Sequence, residues 1–129
     1  PKGLLWNDHA IAARIPVIIK FWKNYRVHPE YDVQVAKDII EMVVRSGRLL
    51  AKPSHFTFAT NHGIIQSLAL LEISLAFPFL PEVDFYKKLA LERLNDQIAF
   101  ILNNEGVILE HSAAYQLNVL SKIGKIFKY

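Results

Sequence analysis

The amino-acid sequence predicts an all-α protein whose antiparallel helical hairpins form part of an incomplete α/α toroid. Apolar residues make up 52% of the 129 positions and recur at helical spacing in long runs. Clusters of Pro, Gly and Asn, which end helices, separate these runs. A motif of a polar residue, a His and a small residue precedes three of the runs, at intervals of 53 and 49 residues, and this repeat length suits one helical hairpin.

The five predicted helices cover residues 8–24, 32–50, 61–77, 82–102 and 112–128. Asn7 or Asp8 can cap the first helix, and Pro16 predicts a kink or an end at the residue before it. Residues 55–60 alternate between polar and apolar, which fits either a short strand or an extended loop. Short connections make successive helices antiparallel, so the first, third and fifth helices should begin at the same end of the structure.

The apolar positions predict which side of each helix is buried. In the first helix the expected buried side comprises Ala10, Ala13, Val17 and Phe21 or Trp22. The third helix is apolar nearly all round, which is typical of an inner helix that is covered on most sides. On the fourth helix we expect apolar positions such as Phe85 to face inward and charged positions such as Arg93 to face outward.

The composition limits the classes of function. With 15 basic and 12 acidic residues the net charge is +3, which is too small to indicate nucleic-acid binding but is compatible with an acidic ligand. The longest apolar stretch, residues 64–80, contains polar residues and Pro78, so we expect no membrane span. Cys is absent and no His pair has metal-ligand spacing, so we expect no metal and no cofactor. We expect one helical domain, residues 1–129, in a periplasmic or secreted protein.

The strongest candidate for a functional site is Asn61-His62-Gly63, at the start of the third helix. Helix starts carry unpaired N–H groups and a partial positive charge, and both favour an anion. The Asn61 amide could neutralise a ligand carboxylate, His62 could exchange a proton near neutral pH, and Gly63 could admit a ligand or a neighbouring backbone. The structural alternative is an Asn that caps the helix, a His packed in a loop and a permissive Gly.

A second candidate is Glu110-His111-Ser112, which precedes the fifth helix. Tyr115 follows one helical turn after His111, so its hydroxyl could donate or accept a proton on the same face. The alternative is that Ser112 caps the helix while Tyr115 packs with its hydroxyl in water.

The third candidate is the start of the first helix, where Trp6 stands beside Asn7-Asp8-His9. An exposed indole there could stack on a sugar ring, although Trp6 could instead form a hydrophobic staple next to the cap. Arg14, further along the helix, could bind an acidic partner or a structural carboxylate. We expect Trp6, His9, Arg14 and His111 to bind substrate if the three helix starts meet in one polar site.

The three motifs, in this order and at these separations, resemble those of the heparinase II/III-like polysaccharide lyases, which include related alginate lyases. The resemblance rests on residues 6–10, on Asn61-His62-Gly63 with the apolar helix after it, and on residues 106–112 followed by Tyr115. It extends over nearly the whole chain. It implies an α/α toroid enzyme that acts on an acidic polysaccharide and cleaves it next to a uronic acid by β-elimination.

The resemblance also implies roles for individual residues. Asn61 would bind the uronate carboxylate, His62 would be its partner and a possible base, and Tyr115 would be the acid, while His111 would shape the site. Family enzymes are several times longer, with more toroid helices and a β-sandwich domain that adds a further His and Tyr. We therefore expect this chain to be part of a larger toroid, with self-association through the open edge of the ring. The alternatives are a non-catalytic domain that binds acidic glycans and a purely structural helical domain.

Overall fold

A computed structural model of the protein describes residues 7–101 together with Ser121 and Gly124, and this part of the chain contains helices and turns but no strand. Its elements are α1 (Asp8–Tyr25), α2 (Val33–Ala51), a 3-10 turn (Pro53–His55), α3 (Asn61–Ala76) and α4 (Val83–Ile101). The prediction of an all-α protein is confirmed, and the first four predicted helices are present. Of the fifth predicted helix only Ser121 and Gly124 are described, and both are helical.

Side chains at the helix starts fix where the helices begin. The Asn7 carboxamide oxygen accepts a hydrogen bond from the Ala10 N–H at 2.7 Å, so Asn7 is the cap of α1. Thr60 rather than Asn61 caps α3, because its hydroxyl oxygen accepts from the Gly63 N–H at 3.2 Å. Asn61 is the first helical residue, and the structural interpretation of Asn61 as a cap is therefore wrong.

α1 and α3 lie side by side and run in the same direction. Near the two helix starts the His9 and His62 rings are in contact, with centroids 4.6 Å apart. Near the two helix ends Trp22 packs against Phe77, with ring centroids 5.8 Å apart. In the sequence His9 and His62 are 53 positions apart, and Trp22 and Phe77 are 55 positions apart. The 53-residue interval between the first two His motifs is therefore the register in which α1 and α3 pack.

α2 and α4 each run antiparallel to the helix that precedes them. At the α1–α2 connection the Tyr25 hydroxyl oxygen accepts a hydrogen bond from the Asp32 N–H at 2.9 Å. Gln97, near the end of α4, donates to the carbonyl of Thr57 just before α3, at 3.3 Å. α2 contacts both α1 and α3, and α4 packs mainly against α3. The packing is that of two helical hairpins, and membership of a larger toroid stays a prediction.

α3 lies at the centre of the core. Ten of its sixteen residues are buried, and it contacts each of the other three helices. Burial on most sides explains why its sequence is apolar nearly all round. Its two buried serines satisfy their hydroxyls within the helix, since Ser67 donates to the Gly63 carbonyl and Ser74 to the Leu71 carbonyl, at 2.8 and 2.7 Å.

In the part of the chain that the structure describes, no helix combines the length and the apolar character that crossing a membrane requires.

The expected buried side of α1 is largely wrong. Of the two alternatives for Pro16, a kink or an end of the helix, the end is wrong. α1 continues through Pro16 to Tyr25, because packing against α2 and α3 outweighs the one hydrogen bond that a proline removes. Val17 and Phe21 are 67% and 51% exposed. The buried residues of α1 are Ile11, Ala12, Ile15, Ile18 and Trp22. The expected and the observed buried residues both have helical spacing. The contacts of α1 with α2 and α3 decide which of the two sets is buried.

On α4 the expected orientations of two residues are reversed: Phe85 is 56% exposed, whereas Arg93 is only 7% exposed. The Arg93 guanidinium donates to the carbonyls of Leu50 and Ala51 at 2.8 and 3.0 Å, and it lies 4.2 Å from the centroid of the Phe56 ring. Leu50 and Ala51 end α2, and the last carbonyls of a helix lack partners and carry partial negative charge. Arg93 is therefore buried because it satisfies the end of α2.

We predict that Arg93→Met lowers the free energy of unfolding by about 1–3 kcal/mol, because two carbonyls then lose their donor. Urea unfolding followed by circular dichroism measures this change. The matched control is Lys88→Met on the same helix, where the Lys88 side chain is 77% exposed; its effect should stay within about 0.5 kcal/mol. Equal effects of the two substitutions would show that Arg93 does not hold α4 to α2.

Candidate functional site

The starts of α1 and α3 bring two of the three His motifs together. His9 and His62 pack ring against ring, with an angle of 32° between the ring planes. His9 is exposed and His62 is half-buried, so both imidazoles can meet a ligand. The third motif, with Glu110, His111 and Ser112, lies outside the described residues, as do Tyr115 and Trp6.

Asp8 is the residue that links the two helix starts. Its Oδ2 atom accepts hydrogen bonds from Thr57 Oγ1 at 2.9 Å and from Gln66 Nε2 at 3.2 Å, and it lies 3.5 Å from His62 Nδ1. Burial by itself would raise the pKa of Asp8. The hydrogen bonds from Thr57 and the His9 backbone, together with His62, outweigh burial and hold that pKa below its ordinary value of 3.8. Asp8 is therefore an anion at neutral pH.

From the sequence, Asp8 is the polar residue of the first His motif and a possible helix cap, whereas Thr57 and Gln66 are not singled out. The available signal for Asp8 was its position directly before His9 in the repeated motif. No comparable signal marks Thr57 and Gln66, because their contacts with Asp8 join residues 49 and 58 positions apart.

The segment before α3 is held in place by hydrogen bonds from three helices. The buried Gln66 side chain accepts from the Thr57 N–H at 3.1 Å and donates to the His55 carbonyl at 2.6 Å. Gln97 of α4 and Asp8 of α1 bind the other two polar groups of Thr57. The sequence left open whether residues 55–60 form a strand or a loop. They form a loop, because the polar groups of His55 and Thr57 bond to helices and not to a neighbouring strand.

Gly63 is required by the packing around it. A Cβ atom at this position would collide with the Thr57 carbonyl and with the Gln97 carboxamide. The sequence left open whether Gly63 admits a ligand or a neighbouring backbone. In the structure it is the backbone of Thr57 that lies close to Gly63. Gly63 therefore allows α4 and the loop to approach the start of α3.

The remaining predicted site residues occupy two places. Asn61 is half-buried in the first turn of α3, next to His62. Arg14 lines a groove of about 300 Å³ between α1 and α2, with Asp38, Glu41, Met42 and Arg45. The side chains brought together at the α1–α3 contact are therefore those of Asp8, His9 and His62, with Asn61 adjacent in the chain, whereas Arg14 belongs to a different groove.

The described residues include no group of three or more His, Cys, Asp or Glu side chains that could hold a metal ion. The side chains at the α1–α3 contact offer imidazole, carboxylate and amide groups. Two helix starts supply partial positive charge there, which stabilises the Asp8 carboxylate as well as an anionic ligand, and an imidazole can exchange a proton with a ligand.

Comparisons with known proteins gave no match, whether to a family model, to a curated protein or to a solved structure.

We predict that Gly63→Ala lowers the free energy of unfolding by about 3 kcal/mol, the upper end of the usual cost of overpacking, because a backbone carbonyl is one of the colliding groups. Thermal and urea unfolding measure the loss. Gly124→Ala is the control, since a Cβ there meets nothing within 4 Å in an exposed helical position; it should be neutral or stabilising by up to about 1 kcal/mol. A stable Gly63→Ala protein would contradict the close packing described here.

We predict that the stabilising effect of Asp8 disappears in acid. Because its pKa is lower in the folded chain, the ionised carboxylate stabilises the fold above the ordinary pKa of 3.8, and this contribution is lost as the pH falls through the lower, folded value. The difference in unfolding free energy between the unmodified chain and Asp8→Asn should therefore be larger at about pH 6 than at about pH 2. A difference independent of pH would mean that the ionised carboxylate has no role in stability.

Proposed function

We propose that this chain is the helical part of a polysaccharide lyase that cleaves uronic-acid-containing polymers by β-elimination, and that it works in the periplasm or outside the cell. The observation that carries the proposal is the contact of His9 with His62 where the starts of α1 and α3 meet, with Asn61 directly beside His62. Two helix starts next to each other suit a carboxylate, and the imidazoles suit proton transfer.

The proposed reaction begins with the carboxylate of the uronic acid. The Asn61 amide donates to this carboxylate, and the partial positive charges of the helix starts stabilise the negative charge that develops beside it. His62 removes the C5 proton. The C5–H electron pair forms the C4=C5 double bond as the C4–O4 bond breaks, and O4 leaves with a proton from an acid. By the sequence resemblance that acid is Tyr115.

An exposed pair of aromatic rings supports a sugar as the ligand. Phe58 and Phe100 are 48% and 54% exposed, and their ring centroids are 5.3 Å apart. Phe58 directly follows Thr57, whose hydroxyl binds Asp8, so the backbone of Phe58 adjoins a residue of the site. Exposed aromatic faces can pack against the apolar face of a pyranose, which is the role that the sequence suggested for Trp6.

The test is a cleavage assay on alginate, heparan sulfate and chondroitin. The unsaturated uronate product absorbs in the ultraviolet, and we expect its rate of formation to fall about 100-fold or more in His62→Gln, with comparable losses in Asn61→Ala and Tyr115→Phe. His28→Gln is the control, since His28 is exposed in the turn between α1 and α2, and its rate should be unchanged.

Saturable, salt-sensitive binding of these polymers without any ultraviolet product would contradict the elimination. That result would favour the alternative function, a non-catalytic domain that binds acidic glycans. If the folded chain neither binds nor cleaves any of these polymers, the remaining alternative is a purely structural helical domain.

A further inference from the structure

We infer that Asp8 is the positioning residue of the proposed base: it holds the proton of the neutral His62 ring on Nδ1 and leaves the lone pair of Nε2 free for the substrate. The catalytic consequence rests on the function proposed above. The tautomer itself is a property of the folded chain and can be measured without any reaction.

The geometry supports this assignment. Asp8 Oδ2 lies 3.5 Å from His62 Nδ1, an ion-pair distance somewhat longer than a hydrogen bond. Catalytic hydrogen bonds are often long without substrate and shorten when it binds. The carboxylate cannot turn away easily, because Thr57 and Gln66 donate to the same oxygen from the loop and from α3.

The chemistry of the neutral imidazole decides the tautomer. One ring nitrogen carries the proton and the other has only a lone pair. With the proton on Nε2, the Nδ1 lone pair would face the Asp8 anion, so two acceptors would oppose each other. With the proton on Nδ1, a donor faces the anion, and Nε2 points away as an acceptor. A carboxylate on Nδ1 therefore favours the form that can act as a base through Nε2.

Other polar and titratable groups near His62 come from each neighbouring element. α1 supplies Asp8 and also His9, whose ring packs against His62. The segment before α3 supplies the His55 carbonyl, which accepts from the same Gln66 side chain that donates to Asp8. α4 supplies the uncharged Gln97. Asp8 is the carboxylate in contact with the His62 ring, and it is the group that can orient the Nδ1 proton.

The first test is nitrogen NMR of the chain labelled with ¹⁵N-histidine, under alkaline conditions where the imidazoles are neutral. We expect Nδ1 of His62 to give the signal of a protonated ring nitrogen and Nε2 that of an unprotonated one. Asp8→Asn should lower the share of the Nδ1–H form of His62, because the neutral amide lacks the negative charge that attracts the Nδ1 proton. The matched control is Asp38→Asn on α2, where Asp38 accepts from Gln34, and it should leave the His62 signals unchanged.

The second test measures the kinetic constants of the cleavage reaction. Asp8→Asn should lower kcat by between about 10-fold and 10⁴-fold with little change in KM, since the substrate still binds while the base presents the wrong tautomer. Thr57→Val, which frees the Asp8 carboxylate without removing its charge, should lower kcat less.

The outcomes separate this inference from the proposed function. A His62 ring protonated on Nε2 in the unmodified chain would overturn the inference, and so would unchanged His62 signals in a folded Asp8→Asn protein. If Asp8→Asn does not fold, the signals of the unmodified chain and of Thr57→Val decide the question. An Nδ1–H tautomer that depends on Asp8, in a chain that makes no unsaturated product, would support the positioning role and contradict only the proposed reaction.

Discussion

The parallel contact between α1 and α3 is the constraint on which the rest of the structure depends. Both helices present apolar side chains along their shared length, and close packing allows few registers between two such surfaces. With Trp22 against Phe77 at one end, the helical rise brings His9 to His62 at the other. α4 then packs against α3, and α2 packs against both helices of the pair. The contact between His9 and His62 at the candidate site is therefore a consequence of how α1 packs against α3.

The polar groups at this contact are tolerated because they bind one another. Gln66 is fully buried, yet its carboxamide both accepts and donates hydrogen bonds, and Thr57 binds to α1, α3 and α4. The buried Gln97 Oε1 atom, which has no partner, is the exception. Satisfied networks of this kind are rigid. Proton transfer needs groups held to within a fraction of an ångström, so the network that stabilises the loop also suits the proposed chemistry.

Charge by itself does not decide exposure on the outer helices, since Arg48 is exposed and Arg93 is buried. Arg48 and Glu82 form a pair at 2.6 Å, and because the Arg48 side chain is 62% exposed this pair contributes little to stability. Arg93 instead binds the carbonyl groups that end α2 and is buried. Next to Glu82, burial and the carboxylate raise the pKa of Tyr86 to about 12. The environment of each of these groups is set by which helix end lies opposite it.

The sequence by itself determined the all-α class, the approximate bounds of the first four helices, a cap of α1 at Asn7 or Asp8, and the buried character of α3. These features depend on spacing and composition within a single segment, which periodicity reports directly. Only the tertiary structure decided which apolar stripe of α1 is buried, that Arg93 is inside, and that Asp8 lies beside His62 while Thr57 and Gln66 bind Asp8. These outcomes depend on contacts between residues about 40 to 60 positions apart, and the pattern within one segment contains no information on its neighbours in space.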